Sequence, residues 1–140
     1  MEQPIMTQRF FLQQPSAPAD ARDPQDAAIA RDLADTLEAH RAGCVGLAAN
    51  MIGKRKRIIA VLDEAGSALV MFNPQILRRE GPYDAEEGCL SLPGTRPATR
   101  YERITVAYED ERAQPRQRRF RGFVAQAVQH EIDHCDGVLI

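Results

Sequence analysis

Two histidines and a glutamate form an H-E-x-x-H pattern, His130-Glu131-Ile132-Asp133-His134. On a helix, residues four apart lie on the same face one turn apart, so both imidazoles can bind one metal ion. Glu131 lies beside them and can take a proton from a metal-activated water and pass it to a leaving group. The pattern predicts metal-assisted attack of water on a carbonyl. The alternative is two core histidines that are satisfied by hydrogen bonds.

A third metal ligand is the next requirement, because a catalytic site typically keeps three protein ligands and one open position. Only six residues follow His134; Asp136 is the one acid among them, and none is a histidine. The third donor is therefore expected upstream, or it is absent. The upstream candidate is Cys89 in Glu87-Gly88-Cys89-Leu90-Ser91, which offers a thiolate beside a glycine that permits close backbone approach.

Two helices are predicted. The first begins at Asp23-Pro24, where Asp caps free amides and Pro suits the first helical position, and it extends to about residue 41. The second covers roughly residues 123–134 and is closed by Gly137. Its inward face at helical spacing consists of Phe123, Ala127, His130 and His134.

Short apolar runs between the helices predict strands. We expect a hairpin from 57–62 and 68–72 with a turn at 63–67, a weak strand at 76–77, and strands at 104–108 and ending at 118–121. Gly81-Pro82 and Pro93-Gly94 are predicted breaks, and 138–140 either adds a short strand or packs on the core. The fold class is α+β, with antiparallel strands around a central H-E-x-x-H helix plus an N-terminal helix. We expect one domain over residues 1–140, in which 1–20 is an irregular N-terminal arm.

Composition excludes several classes of function. The net charge of −2 argues against strong attraction to DNA or to an anionic membrane, and no apolar run approaches the ~20 residues of a membrane span. No secretory signal is evident, so we expect a cytoplasmic protein. Basic runs at 54–57 and 112–121 are interpreted as solvated surface, and contact with ribosomal RNA near the peptide exit is the minority interpretation.

The three cysteines, Cys44, Cys89 and Cys135, are odd in number and widely spaced. They do not suggest a disulfide framework, so each is a free thiol or a metal ligand.

At this point the chain resembles the peptide deformylase family. The family signatures are G-x-G-L-A-A-x-Q, E-G-C-L-S and Q-H-E-x-D-H, in that order. Residues 44–51 match the first signature in part, residues 87–91 match the second completely, and residues 129–134 match the third completely. Three ordered motifs are far more specific than one.

The resemblance implies an enzyme that removes the N-formyl group from the N-terminal formylmethionine of nascent polypeptides and releases formate. It implies the metal ligands Cys89, His130 and His134, which hold Fe(II) in the cell, replaced by Zn(II) or Ni(II) in isolated protein. It implies that Glu131 carries the proton and that the backbone N–H of Leu90 binds the oxyanion. An ion pair between Glu87 and Arg100, which would orient the cysteine strand, also comes from the family pattern.

The first motif departs from the family at two places. Cys44 stands where the family motif has its first glycine, and Met51 stands where it has its final glutamine, whereas Gly46 is retained. Gly46 and Met51 are the expected substrate-binding positions. The resemblance implies that the glutamine of the family motif donates a hydrogen bond to the developing oxyanion. Methionine has no N–H to donate, and loss of one such donor costs about 100- to 1000-fold in kcat. Asn50 is not expected to replace it, because neighbours on a strand point to opposite faces.

Three alternatives to an efficient deformylase stay open. The departure at Met51 favours a deformylase-like protein that binds metal and peptide with weak or no turnover. Binding of Cys44 to the metal would give a closed Cys2His2 site, which is structural. A general H-E-x-x-H metallopeptidase is disfavoured because its usual downstream ligand is missing.

Overall fold

The computed structural model describes residues 1–140 and has an α+β architecture, which confirms the predicted fold class. The helices are α1 (Arg9–Leu12), α2 (Pro24–Ala39) and α3 (Gly122–Cys135), with a 3-10 helix at Ala49–Ile52. The strands are β1 (Gly46–Ala48), β2 (Ile58–Leu62), β3 (Ala68–Cys89), β4 (Leu92–Glu109) and β5 (Pro115–Arg121). The H-E-x-x-H residues lie in α3.

Helix α2 begins where the sequence predicts. The Asp23 side chain accepts a hydrogen bond from the backbone N–H of Gln25 at 2.8 Å, and Pro24 occupies the first helical position, where its missing N–H costs nothing. Leu33 and Leu37 are fully buried on the face that meets β2 and β3. No helix of the protein combines the length and apolar character that crossing a membrane requires.

Each strand pairs with the next one along the chain in antiparallel orientation, in the order β1-β2-β3-β4-β5. β3 and β4 contain 22 and 18 residues, far above the usual length of about five or six. They form one long hairpin, at whose tip Cys89 pairs with Leu92. The hairpin therefore carries its cysteine next to the turn.

The predicted breaks at Gly81-Pro82 and Pro93-Gly94 are wrong, because both pairs lie inside β3 and β4. Beyond Phe72, β3 no longer pairs with β2 and keeps one neighbouring strand, and a strand with an open edge tolerates proline. Gly81 and Gly94 have φ of 72° and 76°, a conformation that glycine adopts at no steric cost. The strands therefore continue through both places.

The other strand predictions are mostly confirmed. The hairpin from 57–62 and 68–72 is formed by β2 and the start of β3, and the runs at 104–108 and 118–121 lie in β4 and β5. The weak strand at 76–77 is part of β3. Residues 138–140 form no strand, but Ile140 is 6% exposed and packs inward. β1 and the 3-10 helix were not predicted.

Helix α3 packs against β1, β2 and β4 and is buried along most of its length. Gly137, with φ of 76°, follows its end and donates its N–H to the carbonyl of His134 at 3.1 Å, as predicted for the closing glycine. The predicted inward position of Phe123 is wrong. Its side chain is 65% exposed because the first turn of α3 borders an open cavity.

The N-terminal arm is held to the sheet by Asn73. The Asn73 side chain donates to the carbonyl of Ala19 and accepts from its N–H, both at 2.7 Å. Ser16 donates its N–H to the carbonyl of Cys135 at 2.8 Å. Within the arm, α1 is one helical turn that the sequence pattern did not predict.

Candidate metal centre

The site joins the tip of the long hairpin to the C-terminal half of α3. Cys89 Sγ lies 3.4 Å from His134 Nε2, which lies 3.1 Å from His130 Nε2. The two imidazoles face the same point because they are one helical turn apart. The three donor atoms all lie within 4.8 Å of one another. The structure therefore brings together the three residues that the sequence and the resemblance single out.

These distances fit a shared metal ion. Ligand atoms about 2.0–2.3 Å from one ion in tetrahedral geometry lie roughly 3.3–3.8 Å apart, close to the observed 3.1 and 3.4 Å. One thiol and two imidazoles form a donor set that suits iron, zinc or nickel. His130 and His134 are 7% and 0% exposed, and Nδ1 of His134 has no hydrogen-bond partner. The two Nε2 atoms face one another at 3.1 Å, close enough for both to bind one cation.

The ion pair between Glu87 and Arg100 that the family pattern predicts is present, and Glu87 also contacts His130, which was not predicted. Glu87 Oε1 lies 2.8 Å from His130 Nδ1, and Arg100 donates to the Glu87 carboxylate at 2.7–3.1 Å. Burial acts to raise the pKa of Glu87, but hydrogen bonds with His130, Arg100 and Gln126 outweigh burial and lower that pKa to about 2. The carboxylate is therefore ionised, and it orients the His130 ring.

The two histidines differ in their proton affinity. Burial acts to lower the pKa of His130, but hydrogen bonds with Cys89 and Glu87 raise it to about 10. Burial and the neighbouring charge of His130 lower the pKa of His134 to about 3. His134 is thus the imidazole that holds a proton less readily, and its lone pair is the more available of the two.

Glu131 lies against the same centre with its carboxylate uncommitted. It is 4% exposed, and its Oε1 has no hydrogen-bond partner. Burial is the main cause that raises its pKa to about 7. Gly46 makes room for it, since a Cβ at Gly46 would lie 2.9 Å from Glu131 Oε2. A carboxyl group with a pKa near 7 can both accept and deliver a proton at neutral pH.

A cavity of about 1050 Å³ opens over the site. Its walls include Cys89, His130 and Glu131, together with Gly46, Met51 and Leu90. Leu90 occupies the turn between β3 and β4 and is 39% exposed. Every residue predicted for catalysis or substrate binding therefore borders one space, while His134 lies behind its wall.

Met51 and Asn50 occupy the 3-10 helix rather than the strand assumed for them. Met51 is 1% exposed, and its Sδ accepts a hydrogen bond from the N–H of Ala48 at 3.5 Å. The Asn50 Nδ2 donates to the carbonyl of His134 at 2.9 Å, and Asn50 does not line the cavity. Its amide is committed to α3, so the expectation that Asn50 does not replace the missing glutamine is supported for a different reason.

The other two cysteines do not join the donor cluster. Cys44 Sγ donates to the carbonyl of Gly46 at 3.0 Å, and the cluster of potential ligands does not include Cys44. Burial raises the pKa of the Cys44 thiol to about 11 and that of the Cys135 thiol to about 12. The geometry gives no support to a closed Cys2His2 site, and Cys135 is fully buried in the core.

Sequence reasoning missed Gln126 and Asp133. Gln126 Nε2 donates to Glu87 Oε2 at 2.8 Å and also lines the cavity. Asp133 Oδ2 accepts from Arg100 Nη1 at 2.7 Å. The spacing of four residues between Gln126 and His130 was the signal available, since it puts both side chains on one helical face.

A buried cluster of one thiol and two imidazoles, with a free carboxylate beside it in a large cavity, defines a metal-dependent hydrolase. Comparison with known proteins agrees. The sequence model of the family described as polypeptide deformylase matches residues 4–140. The peptide deformylase of Clostridium beijerinckii is 46% identical over 140 residues, which is all of both chains. That of Dictyoglomus thermophilum is 41% identical over 113 residues, 80% of this chain and 72% of its own.

Solved structures give the same result. A peptide deformylase from Legionella pneumophila superposes with a TM-score of 0.88 at 33% identity, covering 99% of this chain and 83% of its own. A class I type b peptide deformylase from Acinetobacter baumannii, crystallised with Met-Ala-Ser bound, has a TM-score of 0.87 at 30% identity. The match covers 99% of this chain and 97% of the Acinetobacter baumannii chain.

The chain belongs to the polypeptide deformylase family. Its function is removal of the N-formyl group from nascent polypeptides, and the prediction of a metal-dependent enzyme of this family is confirmed. The general metallopeptidase alternative is thereby set aside.

Proposed function

We propose that Cys89, His130 and His134 hold one metal ion, which when bound supplies Lewis acidity to the formyl carbonyl and to the attacking water. The observation that carries this proposal is the convergence of Sγ and two Nε2 atoms at 3.1 and 3.4 Å. The donor set suits Fe(II) in the cell and Zn(II) or Ni(II) in isolated protein.

Glu131 is the proton carrier in this mechanism. Its Oε1 is free of protein partners and its pKa is about 7, so it takes a proton from the attacking water and delivers it to the leaving nitrogen. The backbone N–H of Leu90, in the turn beside Cys89, donates to the developing oxyanion. Formate and a free N-terminal amine are the products.

The peptide lies in the cavity, with its formyl end at Glu131. Gly46 leaves the carboxylate room, and Met51 forms part of the wall beside it. A relative that binds Met-Ala-Ser supports an N-terminal tripeptide as the length that such a cavity accepts. The described 140 residues act as one domain, with residues 1–20 as its arm.

Weak turnover is the second candidate, and Met51 is the observation that favours it. The cavity wall contains one side-chain amide, Gln126, and its Nε2 is already committed to Glu87. The proposed protein donor to the oxyanion is therefore the backbone N–H of Leu90, without the glutamine amide of the family's first motif.

The substrate emerges from ribosomes, so the protein acts in the cytoplasm. Contact with ribosomal RNA near the exit tunnel is supported by Arg119 and Arg121, two exposed β5 residues that are in no ion pair. Replacement of both by serine should weaken salt-sensitive cosedimentation with ribosomes, whereas serine at Arg22 and Arg31 should not. Equal cosedimentation of all three proteins would contradict this contact.

The deciding experiment measures formate release from formyl-Met-Ala-Ser by anaerobically purified protein loaded with Fe(II). Turnover within tenfold of an ordinary deformylase excludes the weak-turnover candidate, and no turnover with metal bound excludes an efficient enzyme. Glu131→Ala should retain the metal and lose activity, because Glu131 is not a ligand here. Loss of the metal in that variant would contradict the assignment.

A further inference from the structure

Gln126 joins the wall of the cavity to the carboxylate that holds His130. It lies one helical turn before His130, and it is half-buried within the stretch 125–132, whose other members are all buried. Its Nε2 donates to Glu87 Oε2 at 2.8 Å, and its side chain borders the cavity. One side chain therefore contacts both the space for substrate and the network behind the metal ligands.

The two oxygens of the Glu87 carboxylate depend on different donors. Oε1 receives Arg100 Nη2 at 2.7 Å and lies 2.8 Å from His130 Nδ1. Oε2 accepts a hydrogen bond from Gln126 Nε2 at 2.8 Å. It also accepts from Arg100 Nε at 2.9 Å, and the same nitrogen donates to Oε1. Gln126 Nε2 is thus the one donor that bonds to Oε2 and not also to Oε1. Without it, Oε2 keeps only the Arg100 Nε that it shares with Oε1, so the orientation of the carboxylate is less firmly fixed.

We propose that Gln126 is a positioning residue for deformylation, which holds Oε2 of Glu87 so that Oε1 stays on Nδ1 of His130. The His130 Nε2 is thereby kept pointing at Cys89 and His134. This proposal rests on the proposed ligand set. Partners of a ligating histidine typically affect metal affinity by about 10- to 100-fold when they are removed.

The test measures Zn(II) affinity of the metal-free protein by competition with a chromophoric chelator, alongside kcat and KM for formyl-Met-Ala-Ser. Gln126→Leu removes the amide donor and should weaken Zn(II) binding about tenfold or more. Gln126→Glu places a carboxylate against Glu87 and should weaken it further. KM should change less than threefold in Gln126→Leu. The matched control is Gln25→Leu, because Gln25 is an exposed glutamine of α2 outside the cavity. This control variant should bind Zn(II) like the wild type.

The melting temperature of Gln126→Leu separates positioning from simple structural support. Positioning predicts weaker Zn(II) binding by a protein whose melting temperature stays near that of Gln25→Leu. Wild-type Zn(II) affinity in Gln126→Leu, with only KM or thermal stability altered, would overturn the proposal. A wild-type protein that binds no Zn(II) would instead refute the ligand set itself, and the positioning role would fall with it.

Discussion

Replacement of Gly46 by alanine tests how closely the chain is fitted around Glu131. A Cβ at this position would lie 2.9 Å from Glu131 Oε2, 3.1 Å from its Cγ and 3.2 Å from Val61 Cγ1. All three are shorter than ordinary van der Waals contact, which begins at 3.4 Å. Val61 is fully buried in β2, so the Glu131 carboxylate is the group that moves, by about half an ångström.

The size of the effect follows from that displacement. Misplacement of a catalytic group by about 1 Å costs about 100-fold, so we expect Gly46→Ala to lower kcat by roughly 10- to 100-fold. Metal content should be unchanged, because the three atoms nearest to the added methyl belong to Glu131 and Val61, and neither residue is a proposed ligand. The assay is formate release with excess formyl-Met-Ala-Ser, together with metal analysis of the same preparation.

Gly43→Ala is the matched control, since a Cβ at Gly43 meets no atom within 4 Å. That variant should retain kcat within about twofold of the wild type. If Gly46→Ala also stays within twofold, the Glu131 carboxylate does not need its present position and the proton-transfer argument fails. Equal losses in both variants would attribute the effect to the loop rather than to Glu131.

Three further outcomes are expected. Met51→Gln should raise kcat with unchanged metal content, because a side-chain donor is worth about 100- to 1000-fold in comparable sites; an equal or lower kcat would indicate a different oxyanion arrangement. Arg100→Met should lower the free energy of unfolding by about 3–5 kcal/mol in urea titrations, since it leaves Glu87 buried without its cation; a loss under 1 kcal/mol would contradict this. The pKa of Cys44 is about 11, against an ordinary 9.0, so at pH 8 this thiol should react with iodoacetamide about 100-fold more slowly than an unperturbed thiol. The difference in rate should shrink as the pH rises towards 11. Mass spectrometry of the alkylated protein measures the rate.

The ligand cluster was predictable from the sequence because its signals are local. His130 and His134 are fixed by helical spacing, and Cys89 lies in a complete motif beside a glycine. Helix α2 was equally accessible, since Asp23 and Pro24 are capping residues whose preference does not depend on distant contacts.

The errors arose where tertiary context overrides local preference. Gly81-Pro82 and Pro93-Gly94 usually end strands, but the long pairing of β3 with β4 carries the chain through both. Phe123 has the right spacing for an inward face, yet it borders the cavity rather than the core. Gln126 has no motif of its own, and its role depends on Glu87, which is 39 residues away in the sequence.

The length of the β3–β4 hairpin couples metal binding to the stability of the fold. Cys89, at its tip, is 45 residues from His134 in the sequence. Under the proposed ligand set, one ion bound by both residues would join the hairpin tip to α3 across that segment. Because such an ion binds the folded arrangement of the donor atoms, its binding free energy adds to the stability of the fold. Chelation would therefore remove the catalytic ion and the link between the hairpin tip and α3 together.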